Sequence, residues 1–330
     1  MRILVLGGTA FVGRAIVADA LRTGADVTLF GRGQTGAGLF PGVTRLTGDR
    51  DTGDYAALRA GRWDAVVDVS GYVPRHVGQA MDALGERAGR YLFISSHAVY
   101  QRPYEPGSTE DTPRRPPVRD TEELFSETYG PLKVACEDDV VARYGSRATI
   151  VRPGKVAGPH DWQDGLTYWA RRAARGGRVA LPGDPRQPVQ VIDSRDLARL
   201  VVQLVADGRP GAFHAVGPAS PVTMGGLIET CARAAGTQVE ITAVPPETAP
   251  PLFPLIKTYW PSQQRSAARA RAAGLPATPL EVTAADVLAW DRQRGEPPLG
   301  RGYTPEQEQA VLARHDAAPG PGPSGAPGFR

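Results

Sequence analysis

Short, continuously apolar runs alternate with stretches whose apolar positions recur at helical spacing through the first half of the chain. "RILVLGG", "DVTLFGR", "WDAVVDVSG", "RYLFISS" and "ATIVRPG" lack the in-out alternation of strands with one wet face. They read instead as strands buried on both sides, as in a parallel sheet. Between them "FVGRAIVADALRTG", "PRHVGQAMDALGERAG" and "LKVACEDDVVARYG" carry helical spacing and end at glycine, a common helix terminator. This alternation predicts an α/β fold, a doubly wound parallel sheet covered by helices on both faces. After residue 160 the pattern is mixed: helices in "TYWARRAARGG" and "SRDLARLVVQLVADG", short strands in "PVQVI" and "AFHAVG", and a Pro-rich interruption, "VPPETAPPLFPLIKTYWP". Residues 1–160 are thus expected to form one domain, its sheet open to later segments. Residues 161–316 read as a smaller mixed α/β lobe, and 317–330, rich in Gly and Pro without periodicity, as a disordered tail.

Composition narrows the picture. A chain of 330 residues with 41% hydrophobic and 22% charged residues can bury a large core. The net charge of +3 is spread out, and the densest basic cluster, Arg171 to Arg175, fits a solvated helix face, so no nucleic-acid partner is expected. No apolar run reaches the length of a membrane span, and the N-terminus reads as a strand rather than a leader. Cys136 and Cys231 stand apart from each other and from any histidine cluster, which argues against a metal site and for a reducing cytoplasm.

The first chemistry-bearing motif is "GGTAFVG". Gly7, Gly8, Thr9, Ala10, Phe11, Val12 and Gly13 follow the first strand and open a helix, the setting in which backbone N–H groups and the helix dipole receive a dinucleotide pyrophosphate. The domain is therefore expected to be of the Rossmann type. At the end of the second strand an NAD-binding chain usually carries an acid for the ribose 2′-hydroxyl; here Gly31 and Arg32 stand in its place. An arginine can pair with a 2′-phosphate, so NADP(H) is favoured over NAD(H). In "GDRDTGD", Asp49 and Arg50 are candidates for the adenine end, with turn formation the alternative for Asp49.

The second motif is "YGPLK". Four residues apart on a helix, Tyr129 and Lys133 share a face, Pro131 is tolerated in a first turn, and a nearby ammonium would lower the phenol toward acid/base use at neutral pH. "FISSHAVY" brings serines to the carboxyl end of a strand, where ligands of such sheets bind.

Taken in order, "GGTAFVG", "SSHAVY" and "YGPLK" resemble the short-chain dehydrogenase/reductase superfamily, in particular its extended or atypical branch, the NAD-dependent epimerase/dehydratase family. "VRPGKVAGPHD" and "VQVIDSRDLA" are similar to later elements of that branch, and the resemblance covers about residues 1–295. It implies that Ser96 orients a substrate oxygen, Tyr129 exchanges the proton, and Lys133 holds the nicotinamide ribose and lowers the tyrosine. It also places Ser70, Gly71, Pro153 and Gly154 along the cofactor, and at most suggests a homodimer.

Two departures accompany it. Ala10 replaces a second glycine of the common pattern, and the 20-residue stretch "QRPYEPGSTEDTPRRPPVRD" lengthens the interval between Ser96 and Tyr129, as an ordered loop or lid or as an inert excursion. Substrate contacts are sought in His97, Tyr100, His160, Trp162 and Gln190. "RQPVQVID" lacks a cation pair suited to a nucleotide-sugar diphosphate. The expected function is NADP(H)-dependent interconversion of a carbonyl and an alcohol on a small polar metabolite. The alternative is a sugar or nucleotide-sugar epimerase or dehydratase that recycles bound NAD; a non-catalytic nucleotide-sensing or RNA-binding relative is the third reading.

Overall fold

The computed structural model describes residues 1–251 and 253–317. The expected tail lies outside them except for Ala317, which ends a helix. In chain order the strands are β1 Arg2–Leu6, β2 Asp26–Gly31, β3 Thr44–Thr47, β4 Trp63–Asp68, β5 Ala88–Ile94, β6 Ala148–Pro153, β7 Lys155–Ala157, β8 Gly177–Pro182, β9 Pro188–Val189, β10 Val191–Asp193, β11 Gly211–Ala215, β12 Val222–Thr223 and β13 Val239–Val244. The helices are α1 Phe11–Arg22, α2 Pro74–Leu84, α3 Ser126–Tyr144, α4 Gly165–Ala174, α5 Ser194–Ala206, α6 Met224–Ala235, α7 Ala268–Ala272, α8 Leu280–Gln293 and α9 Pro305–Ala317.

The central sheet is parallel throughout, in the order β3-β2-β1-β4-β5-β6-β11. Its strands are apolar on both faces because both faces are covered. Ile3 and Val5 pack with α1, α5 and α7, whereas Leu4 and Leu6 pack with α2 and α3. The order reverses between β1 and β4, which opens a crevice at their carboxyl ends.

The expected boundary at residue 160 is crossed repeatedly. After β6 the chain builds β7, α4, β8, β9 and β10 in the smaller lobe, then returns: α5 packs beside α1, and β11 extends the main sheet beyond β6. It leaves again for α6 and β13, comes back through α7, and finishes with α8 and α9. The lobe has its own core of Trp169, Leu181, Leu227, Ile228 and Val287. Among the described residues no helix is long and apolar enough to cross a membrane.

Candidate functional site

A cleft of about 900 Å³ runs along the carboxyl edge of the sheet. Its floor begins at the glycine turn. Gly13 is fixed by close approach: a Cβ there would stand 2.0 Å from the Gly7 carbonyl oxygen. Ala10 precedes α1 with its side chain exposed and gives the helix no side-chain cap, so the first-turn N–H groups face the cleft free for an anion. These features fit a dinucleotide pyrophosphate.

The remaining cofactor candidates are arranged along the same cleft. Residues 7–13, Arg32, Asp49, Arg50, Ser70, Pro153 and Gly154 line it. Asp49 also forms a turn, its carboxylate accepting from the Asp51 N–H at 3.0 Å. Arg50 is only partly used by the protein: its Nη2 donates to the buried Asp68 carboxylate at 2.8 Å, which also accepts from Tyr91 Oη at 2.6 Å and the Ser70 N–H at 3.1 Å, while its Nε and Nη1 are buried with no hydrogen-bond partner among the described residues. Arg32 is half exposed and stands 3.8 Å from Asp51. Gly71 is not on the wall; its carbonyl accepts from Lys133.

The structure brings Ser96, Tyr129 and Lys133 together at the ends of β5 and α3. Ser96 caps the short 97–99 turn, accepting from the Ala98 N–H at 3.1 Å. Helix α3 begins earlier than the "YGPLK" spacing suggested. Pro131 therefore lies in its second turn, and the carbonyl of Glu127, deprived of an N–H partner, accepts instead from Arg115 Nη2 at 2.8 Å. Gly130 is needed because a Cβ would stand 2.3 Å from the Ala98 carbonyl oxygen. Lys133 is 2% exposed, donates to the carbonyls of Gly71 at 2.7 Å and Ile94 at 2.9 Å, and sits 4.6 Å from the Phe93 ring centre. Burial lowers this ammonium.

The expected lowering of Tyr129 by Lys133 is not what the structure shows. Burial raises the phenol above 10, and the adjacent Ser96 hydroxyl offsets part of that rise. Two of the three Lys133 donors go to carbonyls instead.

The long interval before Tyr129 is an ordered brace on α3. Arg114 pairs with Glu137 at 3.0 Å and Asp138 at 2.8 Å, and Arg119 with Asp139 at 2.7 Å. Glu137 shares the helix face of Tyr129 and Lys133 and receives Arg152 of β6 through both oxygens, at 2.9 and 2.7 Å. Glu137 and Arg152 are the supporting residues that sequence reasoning missed. The recurrence of Tyr129, Lys133 and Glu137 at four-residue steps was the available signal.

Among the substrate candidates, His97 and Trp162 lie on the cleft wall. Arg265 Nη1 faces His97 Nδ1 at 3.0 Å. An arginine only donates, so Nδ1 is the acceptor and the proton of His97 resides on Nε2. Burial, then the charge of Arg265, pulls this imidazole down to about 3, leaving it neutral. Tyr100, His160 and Gln190 do not line the cleft. Tyr100 is buried and hydrogen-bonded to Arg152 and His214. His160 packs edge-on against Trp290 at 5.5 Å. The Gln190 amide is used by the backbone of Arg265, at 2.9 and 3.0 Å.

His214 is fully buried; its Nδ1–H donates to the Ser266 carbonyl at 2.9 Å, so Nε2 accepts from Tyr100 Oη. Burial lowers it to about 4. The unfolded chain, with an ordinary histidine near 6.5, then binds more protons between those values. Stability is full above 6.5 and falls as pH drops toward 4, by about 3 kcal/mol from this residue. Denaturant titrations at pH 7 and pH 4 should show wild type losing that much more than His214→Gln. Equal losses would assign acid sensitivity elsewhere.

Fold, crevice and motif order together define the extended class of short-chain dehydrogenases/reductases. The chain belongs to the NAD-dependent epimerase/dehydratase family, whose model matches residues 3–216. It is 26% identical over 252 residues to the chloroplast stem-loop binding protein of 41 kDa b of Arabidopsis thaliana, a match covering 71% of this chain and 63% of that protein. It is 27% identical over 284 residues to 2-alkyl-3-oxoalkanoate reductase of Stenotrophomonas maltophilia, covering 79% of this chain and 84% of the reductase. The Bordetella bronchiseptica enzyme WbmH, solved in complex with NAD+, superposes with a TM-score of 0.67 at 19% identity over 89% of this chain and 99% of its own, a likeness of fold.

Proposed function

We propose that this protein is an NADP(H)-dependent oxidoreductase that interconverts a carbonyl and an alcohol on a small molecule. The observation that carries this reading is that Tyr129 and Lys133 line one cleft with an uncapped glycine turn, while Ser96, itself off the cleft wall, lies against the Tyr129 hydroxyl. A bound nicotinamide would supply a hydride to a carbonyl carbon. Tyr129 gives its Oη proton to the oxygen as negative charge grows there, and Ser96 orients that oxygen. Lys133, anchored by two carbonyls, keeps its remaining donor capacity for a ribose hydroxyl. The glycine turn and the α1 N-terminus hold the pyrophosphate, and Arg32 meets the 2′-phosphate.

About four-fifths of this chain aligns with a protein named as a reductase, which supports the redox reading. Asp51, 3.8 Å from Arg32, is the one observation favouring the second reading, a recycling epimerase or dehydratase that keeps NAD. Stem-loop binding, the property named for the chloroplast relative, has less support, because Tyr129 and Lys133 are both retained.

The test is to denature the purified protein, identify released nucleotide by mass spectrometry, and titrate the stripped protein with NADPH and NADH. NADPH is expected to bind more tightly, and Arg32→Ala to weaken it by about tenfold without a matching loss for NADH. Stoichiometric NAD in the released fraction would sink the NADP(H) assignment and favour recycling.

A further inference from the structure

Buried arginines of this protein are neutralised by carboxylates: Arg50 by Asp68, Arg152 by Glu137 and Arg172 by Glu308. Arg265 breaks that habit. It is 5% exposed, and among the described residues no carboxylate stands within ion-pair distance of it. Its guanidinium is held by uncharged partners: Nη2 donates to Tyr104 Oη, and Nη1 to the Ser262 carbonyl and to His97 Nδ1, the last at 3.0 Å. The guanidinium carbon stands 4.9 and 5.5 Å from the ring centres of Tyr104 and Tyr100, whose faces stand in part for the missing anion. Gln190 fixes the Arg265 backbone, accepting from its N–H at 3.0 Å and donating to its carbonyl at 2.9 Å. A buried cation without a counterion is costly, and such departures concentrate at functional sites.

Of the side chains that Arg265 bonds, His97 is the one on the cleft wall. We propose that Arg265 is a positioning residue that holds His97 with its Nε2–H free to donate to the substrate, at an oxygen other than the reacting one. The inference rests on the reductase reading for the reacting oxygen; the donor itself follows from the contact between the two side chains. With Nδ1 occupied by a permanent donor, Nε2 carries the proton, and among the described residues nothing accepts it. His97 opens the 97–99 turn that Ser96 caps, so this free donor is adjacent in sequence to the serine that meets the Tyr129 hydroxyl. A carbonyl oxygen has two lone pairs. Ser96 and Tyr129 fill both, which leaves the His97 proton for a different acceptor. The charge behind the ring draws electrons toward Nδ1 and strengthens Nε2–H as a donor, as in any polarised chain of hydrogen bonds. It also opposes a second positive charge on the imidazole, so His97 donates without releasing its proton.

This assignment narrows the substrate class. A small polar metabolite becomes a ketone or aldehyde with a hydroxyl, ester or second carbonyl oxygen on a nearby carbon. Either ring nitrogen of a histidine can carry the proton, and the hydrogen bond made by one nitrogen decides the state of the other. The fixed tautomer is thus a property of the pair rather than of His97 alone.

The test uses the full chain, saturated with NADP+ for binding and with NADPH for turnover. Hydroxyacetone is compared with butanone, and ethyl acetoacetate with methyl pentyl ketone, pairs that differ mainly in the second oxygen. Wild type is expected to bind or reduce the oxygenated member of at least one pair about tenfold better than its partner. His97→Phe should erase that preference and Arg265→Met should weaken it, with NADPH affinity close to wild type. His97→Gln, which keeps an N–H at similar reach, should retain most of it. Long-range proton–nitrogen spectra at pH 7 should show one fixed Nε2–H tautomer for His97 in wild type and exchange between tautomers in Arg265→Met; Arg265→Gln takes its place if that variant does not fold. A preference that survives His97→Phe, equal losses on both members of a pair, or a proton on Nδ1 would overturn the assignment. So would the absence of both binding and turnover for every probe at millimolar concentration. A binding preference that His97→Phe erases, while no compound oxidises NADPH, would uphold the donor and remove the reductase reading.

Discussion

Replacing Tyr129 by Phe is expected to lower turnover of a carbonyl substrate by about 10²–10⁴-fold while leaving NADPH affinity within about twofold. The substitution removes one oxygen from a side chain whose ring already stands in the cleft, so the fold has little reason to change. The acid is what disappears. Because burial holds the phenol above 10, Tyr129 stays protonated across neutral pH. Carbonyl reduction should therefore be flat from pH 6 to 9 as far as this group is concerned, whereas alcohol oxidation, which needs the phenolate, should climb with pH. Steady-state rates in both directions, measured with the variant and across pH, check both statements. Full turnover by the Phe variant, or a falling limb in reduction near pH 7, would assign the proton to another residue.

The largest expected loss of stability is at Glu137. This carboxylate is 1% exposed and lies between Arg152 and Arg114, and Arg152 is itself 5% exposed. Glu137→Leu strands the Arg152 guanidinium in the interior, at a cost of about 3–5 kcal/mol. That is a large share of the stability of an ordinary domain. Joining it to Arg152→Met removes the orphaned charge and should recover much of the loss, since replacing both members of a buried pair is often near neutral. Denaturant midpoints of the two variants separate the cases; a single variant as stable as wild type would mean that water reaches Arg152. The recovered double variant should still turn over more slowly, because Glu137 fixes the register of the face that presents Tyr129.

Much of this was legible in the sequence, for identifiable reasons. The glycine turn, "SSHAVY" and "YGPLK" are local: each is a few residues whose chemistry and conformation are set within one turn or one strand end. The sheet was legible because strands buried on both faces cannot hide their apolar runs. What escaped are features made by residues far apart in the chain. Pro131 was read in a first turn because nothing local reveals that α3 begins at Ser126 and that Arg115 would satisfy Glu127. Tyr100 and Gln190 were sought in the cleft because aromatic and amide side chains in loops serve structure and binding equally well; their partners, His214 and Arg265, lie 114 and 75 residues away. His97 and Arg265 stand 168 residues apart, so only the folded chain brings them together. The helix "SRDLARLVVQLVADG" was recognised as a helix and read with the smaller lobe, whereas it packs on the central sheet, since amphipathicity says that a face is buried and not against what.

The return of α5 and β11 to the central sheet, and of α7 to the same face, bears on how such proteins can diversify. The two lobes are interleaved along the gene rather than joined end to end. A single recombination point cannot exchange one for the other, because a cut after β6 would deprive the sheet of its edge strand and of a helix from its core. New substrate ranges in this architecture must arise by point substitution and by change of length in the excursions between sheet elements, and grafting one would require several simultaneous junctions.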